Sequence, residues 1–283
     1  MNWFLFALIA AVAYALAEIV SKYAATKDAE PSYVGLLSAF FSTLVAFGIA
    51  FFRHDIVYHF TVLNIIGLIG STLLTSIGII TYFKALQLSD VSEFALFTRT
   101  QILFAFIGGV FIFSDRFSLF QIAGILIMML GVIVISLSKT KIHFHKGSIL
   151  AIITAMLFGF AVLIDKAIVN DFSATFYSAL YYALNSLFLI IPAFMTYRRI
   201  HILPSKRTCG LMFVTGTLYV LSAIWVYTAF QIGGMVSLMT IIAQLQIPIV
   251  VLYGIFIFKE RDRLSQKIIA MICMGIGAYL LSV

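Results

Sequence analysis

Gly109–Arg116 reads GVFIFSDR and Gly254–Arg261 reads GIFIFKER, so nearly the same apolar run, ending in an acid and an arginine, occurs twice at a distance of 145 positions. The similarity extends beyond these octamers, because Lys22 and Lys166 are 144 positions apart and each lies near the end of a long apolar run. Matches at nearly the same spacing indicate that one unit has been duplicated. The duplication covers most of the chain.

The composition is that of a membrane protein. Of the 283 residues, 63% are hydrophobic and 10% are charged, and the mean hydropathy is +1.13. A water-soluble protein of this length needs more polar surface. A membrane-crossing α-helix needs about 20 apolar residues and satisfies its own backbone hydrogen bonds. Ten such runs lie approximately at residues 2–23, 33–53, 62–84, 93–113, 118–138, 147–168, 174–197, 208–231, 235–258 and 265–283. The sequence predicts an all-α integral membrane protein with ten transmembrane helices.

Each copy of the repeat contains five of these runs, which predicts one five-helix repeat at residues 1–140 and a second at residues 147–283. Because five is odd, the second copy enters the membrane from the opposite side, so the repeats are inverted. Lysine and arginine are concentrated in the loops after the odd-numbered runs, and such residues accumulate on the cytoplasmic side. This bias predicts that both termini lie outside, in a bacterial inner (plasma) membrane. The net charge of +7 reflects topology and attraction to anionic lipids, without a nucleic-acid partner.

Further residues match a known pattern. They are Lys22 and Lys166 closing the first run of each half, Ala85-Leu86 and Ala229-Phe230 before the fourth and ninth runs, Pro248 within the ninth run, and Glu260 after it. In these residues the whole chain resembles the EamA-like branch of the drug/metabolite transporter (DMT) superfamily. The resemblance implies ten helices and transport of small solutes, although members carry amino acids, nucleobases, drugs, sugars or cations. The chain departs from the pattern at Leu103, which corresponds to Pro248, and at Asp115, where the family favours glutamate.

Ionisable side chains within the apolar runs are costly to bury in a membrane, so each is a candidate functional residue. Tyr14 and Glu18 are four residues apart on one face of the first helix, and Lys22 follows one turn later. One interpretation is a structural ion pair between Glu18 and Lys22. The other is a carboxylate that binds a proton or a cation in a central cavity, which makes Glu18 the candidate proton-coupling residue.

Arg99 is the second candidate, and the repeat predicts its orientation. The ninth run carries a polar stripe along one helical face, made of Ser237, Thr240, Gln244 and Pro248. A shift of 145 positions brings Arg99 onto Gln244, so we expect Arg99 to face the cavity between the repeats. Glu18 lies at a similar depth, which allows a switchable ion pair with Arg99 that a substrate or a proton interrupts. A permanent structural pair fits the pattern equally well, and Arg99 could instead bind a substrate carboxylate.

The remaining candidates carry less information. Tyr82 and Tyr227 occupy corresponding ends of the third and eighth runs, where a ring can contact a planar or cationic substrate. Asp165 and the lysine after it are interpreted as helix-end charges. His143 and His145 alternate as metal ligands can, but no further ligands accompany them, so no metal is expected. The candidate substrate-binding set is Tyr14, Glu18, Tyr82, Arg99, Tyr227, Thr240 and Gln244.

Taken together, these features favour a secondary active transporter that moves a small organic metabolite, such as an amino acid, an amine or a drug-like solute, by alternating access. Export is favoured because many proteins of the resembled family are exporters, proton coupling is one option, and uptake is the alternative. The sequence has no Gly-rich phosphate-binding Lys-Ser/Thr motif, which argues against ATP-driven pumping by this chain alone. Its intramembrane acids are isolated, which disfavours a membrane enzyme, and a receptor would rarely need an inverted duplication. The expected partners are a small-molecule substrate, protons and membrane lipids, with no cofactor, in a monomer or homodimer.

Overall fold

The computed structural model describes residues 3–24, 30–88, 97–136, 145–201, 204–256 and 264–282. Its α-helices, numbered α1 to α11 in chain order, are Trp3–Ala24, Pro31–Phe52, Val62–Leu88, Gln101–Phe113, Leu119–Ser136, Lys146–Ile168, Ala174–Ile200, Lys206–Gln231, Val236–Ile242, Gln246–Phe256 and Leu264–Ser282. Short 3-10 helices lie at Val169–Asp171 and Ala243–Leu245. Within these described ranges the β-type pairing is a single bridge between Tyr58 and Phe172. The described chain is therefore helical, as predicted.

Most of the predicted runs have the length and composition of membrane spans. Eight stretches of the described helices are long and apolar enough to cross a membrane. The fourth and fifth predicted runs correspond to shorter apolar helices at Gln101–Phe113 and Leu119–Val134. The fourth run begins within residues 89–96 and the fifth ends within residues 137–144, and both of these segments lie outside the described residues. The chain is an integral, multi-pass membrane protein.

The ninth predicted run differs from the prediction because it is not one continuous α-helix. The 3-10 helix at Ala243–Leu245 divides it into α9 and α10. Pro248 accounts for the division. Proline has no N–H to donate to the carbonyl of Gln244 one turn earlier, and its ring crowds that carbonyl. The polar stripe predicted for this run therefore passes through an irregular turn.

The fourth run has an irregular turn at the matching position of the repeat. Thr100 N–H donates to Phe97 O at 3.2 Å and Leu103 N–H donates to Thr100 O at 2.9 Å, which is 3-10 spacing. The Thr100 hydroxyl also donates to Phe97 O at 2.6 Å, and this side-chain bond competes with regular helix geometry. After the turns, α4 begins at Gln101 and α10 begins at Gln246, 145 positions later.

Four helix pairs form the most extensive contacts of the bundle: α1 with α8, α2 with α7, α3 with α6, and α5 with α11. Each pair joins a helix of the first half of the chain to a helix of the second half. The α2–α7 pair is antiparallel, because the Ser32 hydroxyl donates to Thr196 at 2.9 Å near one end while Phe47 and Phe176 meet near the other, with ring centroids 6.3 Å apart.

Glycines bring α5 and α11 into close contact. A Cβ atom built on Gly124 would lie 3.1 Å from Leu281, and one built on Gly131 would lie 2.7 Å from Met274. The residue numbers increase along one helix as they decrease along the other, so this pair is also antiparallel. On the α11 side, Gly277 faces the backbone of α5 directly. Small residues at such positions allow transmembrane helices to pack by close backbone approach.

The loops after the second and sixth predicted runs are hydrogen-bonded to each other. Ser173 N–H donates to Val57 O at 2.9 Å, and its hydroxyl donates to Asp55 O at 2.7 Å. The Thr175 hydroxyl donates to the Asp55 carboxylate at 2.5 Å. These contacts flank the single β-bridge and hold the two loops together on the side that the charge bias predicts to be extracellular.

Candidate functional site

The first part of the candidate site surrounds Glu18 on α1. Its carboxylate accepts a hydrogen bond from the Tyr219 hydroxyl of α8, with 3.1 Å between the oxygens. The Tyr14 hydroxyl also interacts with Glu18, and the Tyr14 ring contacts the Tyr219 ring with centroids 5.3 Å apart. Tyr14 and Glu18 share one face of α1 because they are one turn apart. Tyr14 keeps 39% of its surface exposed, whereas Glu18 is more deeply placed in the bundle.

The second part is a contact between the irregular turns of the fourth and ninth runs. Arg99 Nη1 donates to Gln244 Oε1 at 3.0 Å. These two residues are 145 positions apart, so they are equivalent positions of the sequence repeat. The Gln244 amide nitrogen donates to Thr240 O at 3.2 Å, which orients the side chain toward Arg99. The Thr240 hydroxyl donates to Val236 O at 2.9 Å, so Thr240 positions Gln244 through its backbone and uses its own side chain within α9.

Electrostatic interactions join these two parts. Arg99 interacts with Glu18, Tyr14 and Tyr82, and Tyr82 also interacts with Glu18. Helices α1, α3 and α8 and the two irregular turns therefore supply an acid, a cation, an amide and three phenols to one region. Such a set has the chemistry to hold an amine at the carboxylate, a carboxylate at the guanidinium, and an aromatic or cationic group against the rings.

Glu18 and Arg99, both within the described chain, do not form the direct ion pair that the sequence suggested. Glu18 is bonded to Tyr219 and Arg99 is bonded to Gln244, while their charges interact at longer range. Each charged group thus holds a neutral partner that a ligand of opposite charge can replace. The alternative partner, Lys22, has a side chain that lies outside the described residues.

Tyr227 lies in a different cluster, around Asp165 on α6. Its hydroxyl donates to Asp165 Oδ2 at 3.3 Å, and the Tyr177 hydroxyl donates to Oδ1 at 2.7 Å. The Ser71 hydroxyl of α3 also interacts with Asp165. Asp165 lies in the last turn of α6, as predicted, but it is 4% exposed, so it is a buried acid and not a solvent-facing charge. The tertiary packing of three other helices buries an acid that the local sequence leaves at the end of its own helix.

Sequence reasoning did not single out Tyr219, Tyr177 or the burial of Asp165. One signal for Tyr219 was available, because it precedes Tyr227 on α8 by eight residues and two turns of helix bring such positions onto one broad stripe. Nothing local marks Tyr177 or Ser71 as partners of Asp165. Their meeting depends on how α3 and α7 pack around α6.

The histidine pair does not form part of the site. His145 Nδ1 accepts the Gly147 N–H at 2.9 Å and caps the start of α6, while His143 lies outside the described residues. Within the part of the chain that the structure describes, no group of three or more His, Cys, Asp or Glu side chains is arranged to hold a metal ion.

The fold and the polar cluster define a multi-pass membrane protein with a polar site between its helices. Residues 1–137 match the EamA-like transporter family, so the predicted resemblance to this family of the DMT superfamily is confirmed over that part of the chain. A solved structure titled "Crystal structure of protein" superposes with a TM-score of 0.76 over 98% of this chain and 95% of that chain, at 14% sequence identity, which shows a shared fold. No curated protein matches the sequence.

Proposed function

We propose that this protein is a secondary active transporter that moves a small organic metabolite across the membrane by alternating access. The contact between Arg99 and Gln244 carries the proposal. Residues at equivalent positions of two repeats meet where the repeats face each other, near the axis that relates them. A polar site at that place can open to either side of the membrane when the two repeats exchange conformations.

The helix packing supports two inverted five-helix repeats, residues 1–140 and 147–283. Inversion requires corresponding helices to run in opposite directions, and α2 is antiparallel to α7 as α5 is to α11. A two-fold relation also requires that a contact between α1 and α8 be matched by one between α3 and α6, and both are among the most extensive contacts. Ten crossings, both termini outside and a bacterial inner-membrane location belong to this proposal, on the basis of the run lengths and the lysine and arginine bias.

The chemistry of the cluster favours an amino acid, an amine or a drug-like cation as the substrate. Glu18 attracts an ammonium group, and the rings around it add cation-π attraction. Arg99 suits a substrate carboxylate. Glu18 is also the candidate for proton coupling, because a proton and a substrate amine compete for the same carboxylate. Export is the direction that the resemblance to EamA-like transporters favours, and uptake through the same site is the alternative.

A flux experiment with purified protein tests this function. A thermal-shift screen against amino acids, amines, nucleobases and sugars selects a solute, and its flux is then measured in proteoliposomes with and without a pH gradient. Glu18→Gln is expected to remove the effect of the gradient. Glu30→Gln is the matched control, because Glu30 pairs with Arg199 at 3.1 Å outside the cluster.

Two results would count against the proposal. Full transport by Glu18→Gln with an unchanged response to the gradient eliminates its role in proton coupling. A bound solute that is chemically converted without any flux contradicts transport and points to an enzyme. The sign of the flux under a defined gradient separates export from uptake.

A further inference from the structure

Asp165 is a buried acid that the cluster around Glu18 does not use. Glu18 lies near the end of α1, which the charge bias places toward the cytoplasm, whereas Asp165 lies near the end of α6, on the predicted extracellular side. The two acids therefore belong to the first helix of each proposed repeat and lie toward opposite ends of the bundle. Each meets a hydroxyl from the third helix of the other half, Tyr219 or Ser71.

The immediate partners of Asp165 are hydroxyl groups. Tyr177 and Tyr227 donate to its two carboxylate oxygens. Ser71 has a single hydroxyl hydrogen, and Leu68 O accepts it at 3.3 Å. The same hydroxyl also interacts with Asp165, and its hydrogen can rotate between the two acceptors. Ser71 and Tyr177 are 0% exposed, so these groups interact with Asp165 in the interior of the protein.

Among the described residues, no cation balances a negative charge on Asp165. Lys166, the next residue, donates to Phe230 O at 2.6 Å and interacts with Asp115. Asp171, beyond the end of α6, accepts a hydrogen bond from Asn64 at 2.8 Å. An ionised carboxylate that is buried without a cation is strongly unfavourable, so this environment favours the neutral form.

The remaining titratable groups around Asp165 are phenols. Those that face it from α7 and α8 are Tyr177, Tyr181, Tyr182 and Tyr227. Helices α4 and α9 also pack against α6 and contain no titratable residue. On α3, Tyr82 and Lys84 are more than two turns beyond Ser71. Protonation of Asp165 is therefore the charge change available to this cluster.

We propose that Asp165 is a second proton-binding site, distinct from the Glu18 cluster, and that it carries a proton in the arrangement seen here. The step forms one O–H bond on a carboxylate oxygen with a proton from water, and the charge changes from −1 to 0. Ser71 belongs to the first half of the chain, whereas Asp165 and both tyrosines belong to the second. Separation of α3 from α6 admits water, which stabilises the ionised carboxylate and releases the proton, so proton binding is linked to closure of this end of the bundle.

Infrared difference spectroscopy of purified protein in liposomes tests the proposal without any substrate. The probe is the proton, applied as a pH titration over the range in which the protein stays folded. We expect a carbonyl band of a neutral carboxyl group that is lost on alkalinisation in the wild type and is absent from Asp165→Asn. Asp171→Asn is the matched control, because it removes an exposed carboxyl at the same end of α6, and the band is expected to persist.

A second variant keeps the test decisive if Asp165→Asn fails to fold. Ser71→Ala keeps the carboxyl group and removes a hydroxyl that favours its ionised form, so the band is expected to shift in frequency and to persist to a higher pH. Identical spectra for wild type and Asp165→Asn overturn the proposal, as does an unmoved band in Ser71→Ala. A band that responds to Na⁺ at constant pH and does not respond to pH also overturns it, in favour of a sodium site. None of these readouts requires transport, so their failure is distinct from failure of the proposed function.

Discussion

Replacing Gly277 by alanine tests how closely the two halves of the chain pack at α5 and α11. A Cβ atom at this position would lie 2.8 Å from Gly124 O and 2.9 Å from Met128 N, and both are backbone atoms that cannot rotate away. It would also lie 2.3 Å from Met128 Cγ, which belongs to a flexible side chain. Since Cβ contacts are ordinarily 3.4 Å or longer, the helices must separate by roughly half an ångström at this point.

The expected loss of thermal stability in Gly277→Ala follows from a comparison with Gly275→Ala. A Cβ atom on Gly275 meets nothing within 4 Å, so that variant tests helix propensity alone, a gain of about 1 kcal/mol. The gain applies equally to Gly277→Ala and cancels in the difference. Overpacking at a tight contact costs about 1–3 kcal/mol. At roughly 2–4 °C per kcal/mol for a chain of this size, the apparent melting temperature of Gly277→Ala should be about 2–12 °C below that of Gly275→Ala.

The measurement is a thermal-unfolding scan of both variants in the same detergent, at equal protein concentration and scan rate. Gly275→Ala is expected to melt at or slightly above the wild-type temperature. If Gly277→Ala melts at or above Gly275→Ala, the backbone contact between α5 and α11 is looser than described. The close packing of the fifth helix of each proposed repeat would then be refuted.

Three further outcomes are expected. Tyr219→Phe removes a hydrogen bond to the candidate proton-binding carboxylate of α1, a charge-assisted bond of about 1.5–3 kcal/mol. The pH at which transport is half-maximal should therefore shift in this variant, and it should shift less in Tyr14→Phe. Equal shifts in the two variants would contradict the stronger role of Tyr219. Gln244→Leu leaves the Arg99 guanidinium without its partner and should change solute affinity by roughly tenfold or more in thermal-shift titrations, and an unchanged affinity would exclude this contact from the site. Thr175→Val removes a hydroxyl that hydrogen-bonds the two loops on the predicted outer side to each other. A membrane-impermeant maleimide should then label a cysteine that has been introduced behind these loops at a higher rate. An unchanged labelling rate would show that this hydrogen bond does not restrain the loops.

Much of the fold could be predicted because run length and apolarity act locally. A stretch of about 20 apolar residues must form a helix in a bilayer, wherever its neighbours lie. Pro248 likewise could have indicated the division of the ninth run, since its missing N–H is a property of one residue. The matching turn at Arg99 and Thr100 has no proline and was not predicted from the sequence.

The candidate site was predictable only as a set of positions. Helical spacing placed Tyr14 with Glu18, and the repeat placed Arg99 with the stripe of Gln244. Neither pattern showed which residue would hydrogen-bond to each charged side chain. Tyr219 is 201 positions from Glu18, and no periodicity within one helix connects them. Tyr227 was assigned by its symmetry with Tyr82, but the packing of α8 carries it to Asp165 instead.

The sequence by itself determined that the chain is a bundle of membrane helices and predicted that it consists of two similar halves, because apolar runs and their repetition at 144 or 145 positions are properties of the linear chain. Only the tertiary structure decided which polar groups meet. Arg99 bonds to its own repeat equivalent, and Asp165 is buried among hydroxyls of three other helices. The reason is physical: a side chain within a bilayer takes the nearest polar partner that helix packing provides, and that packing joins residues of opposite halves.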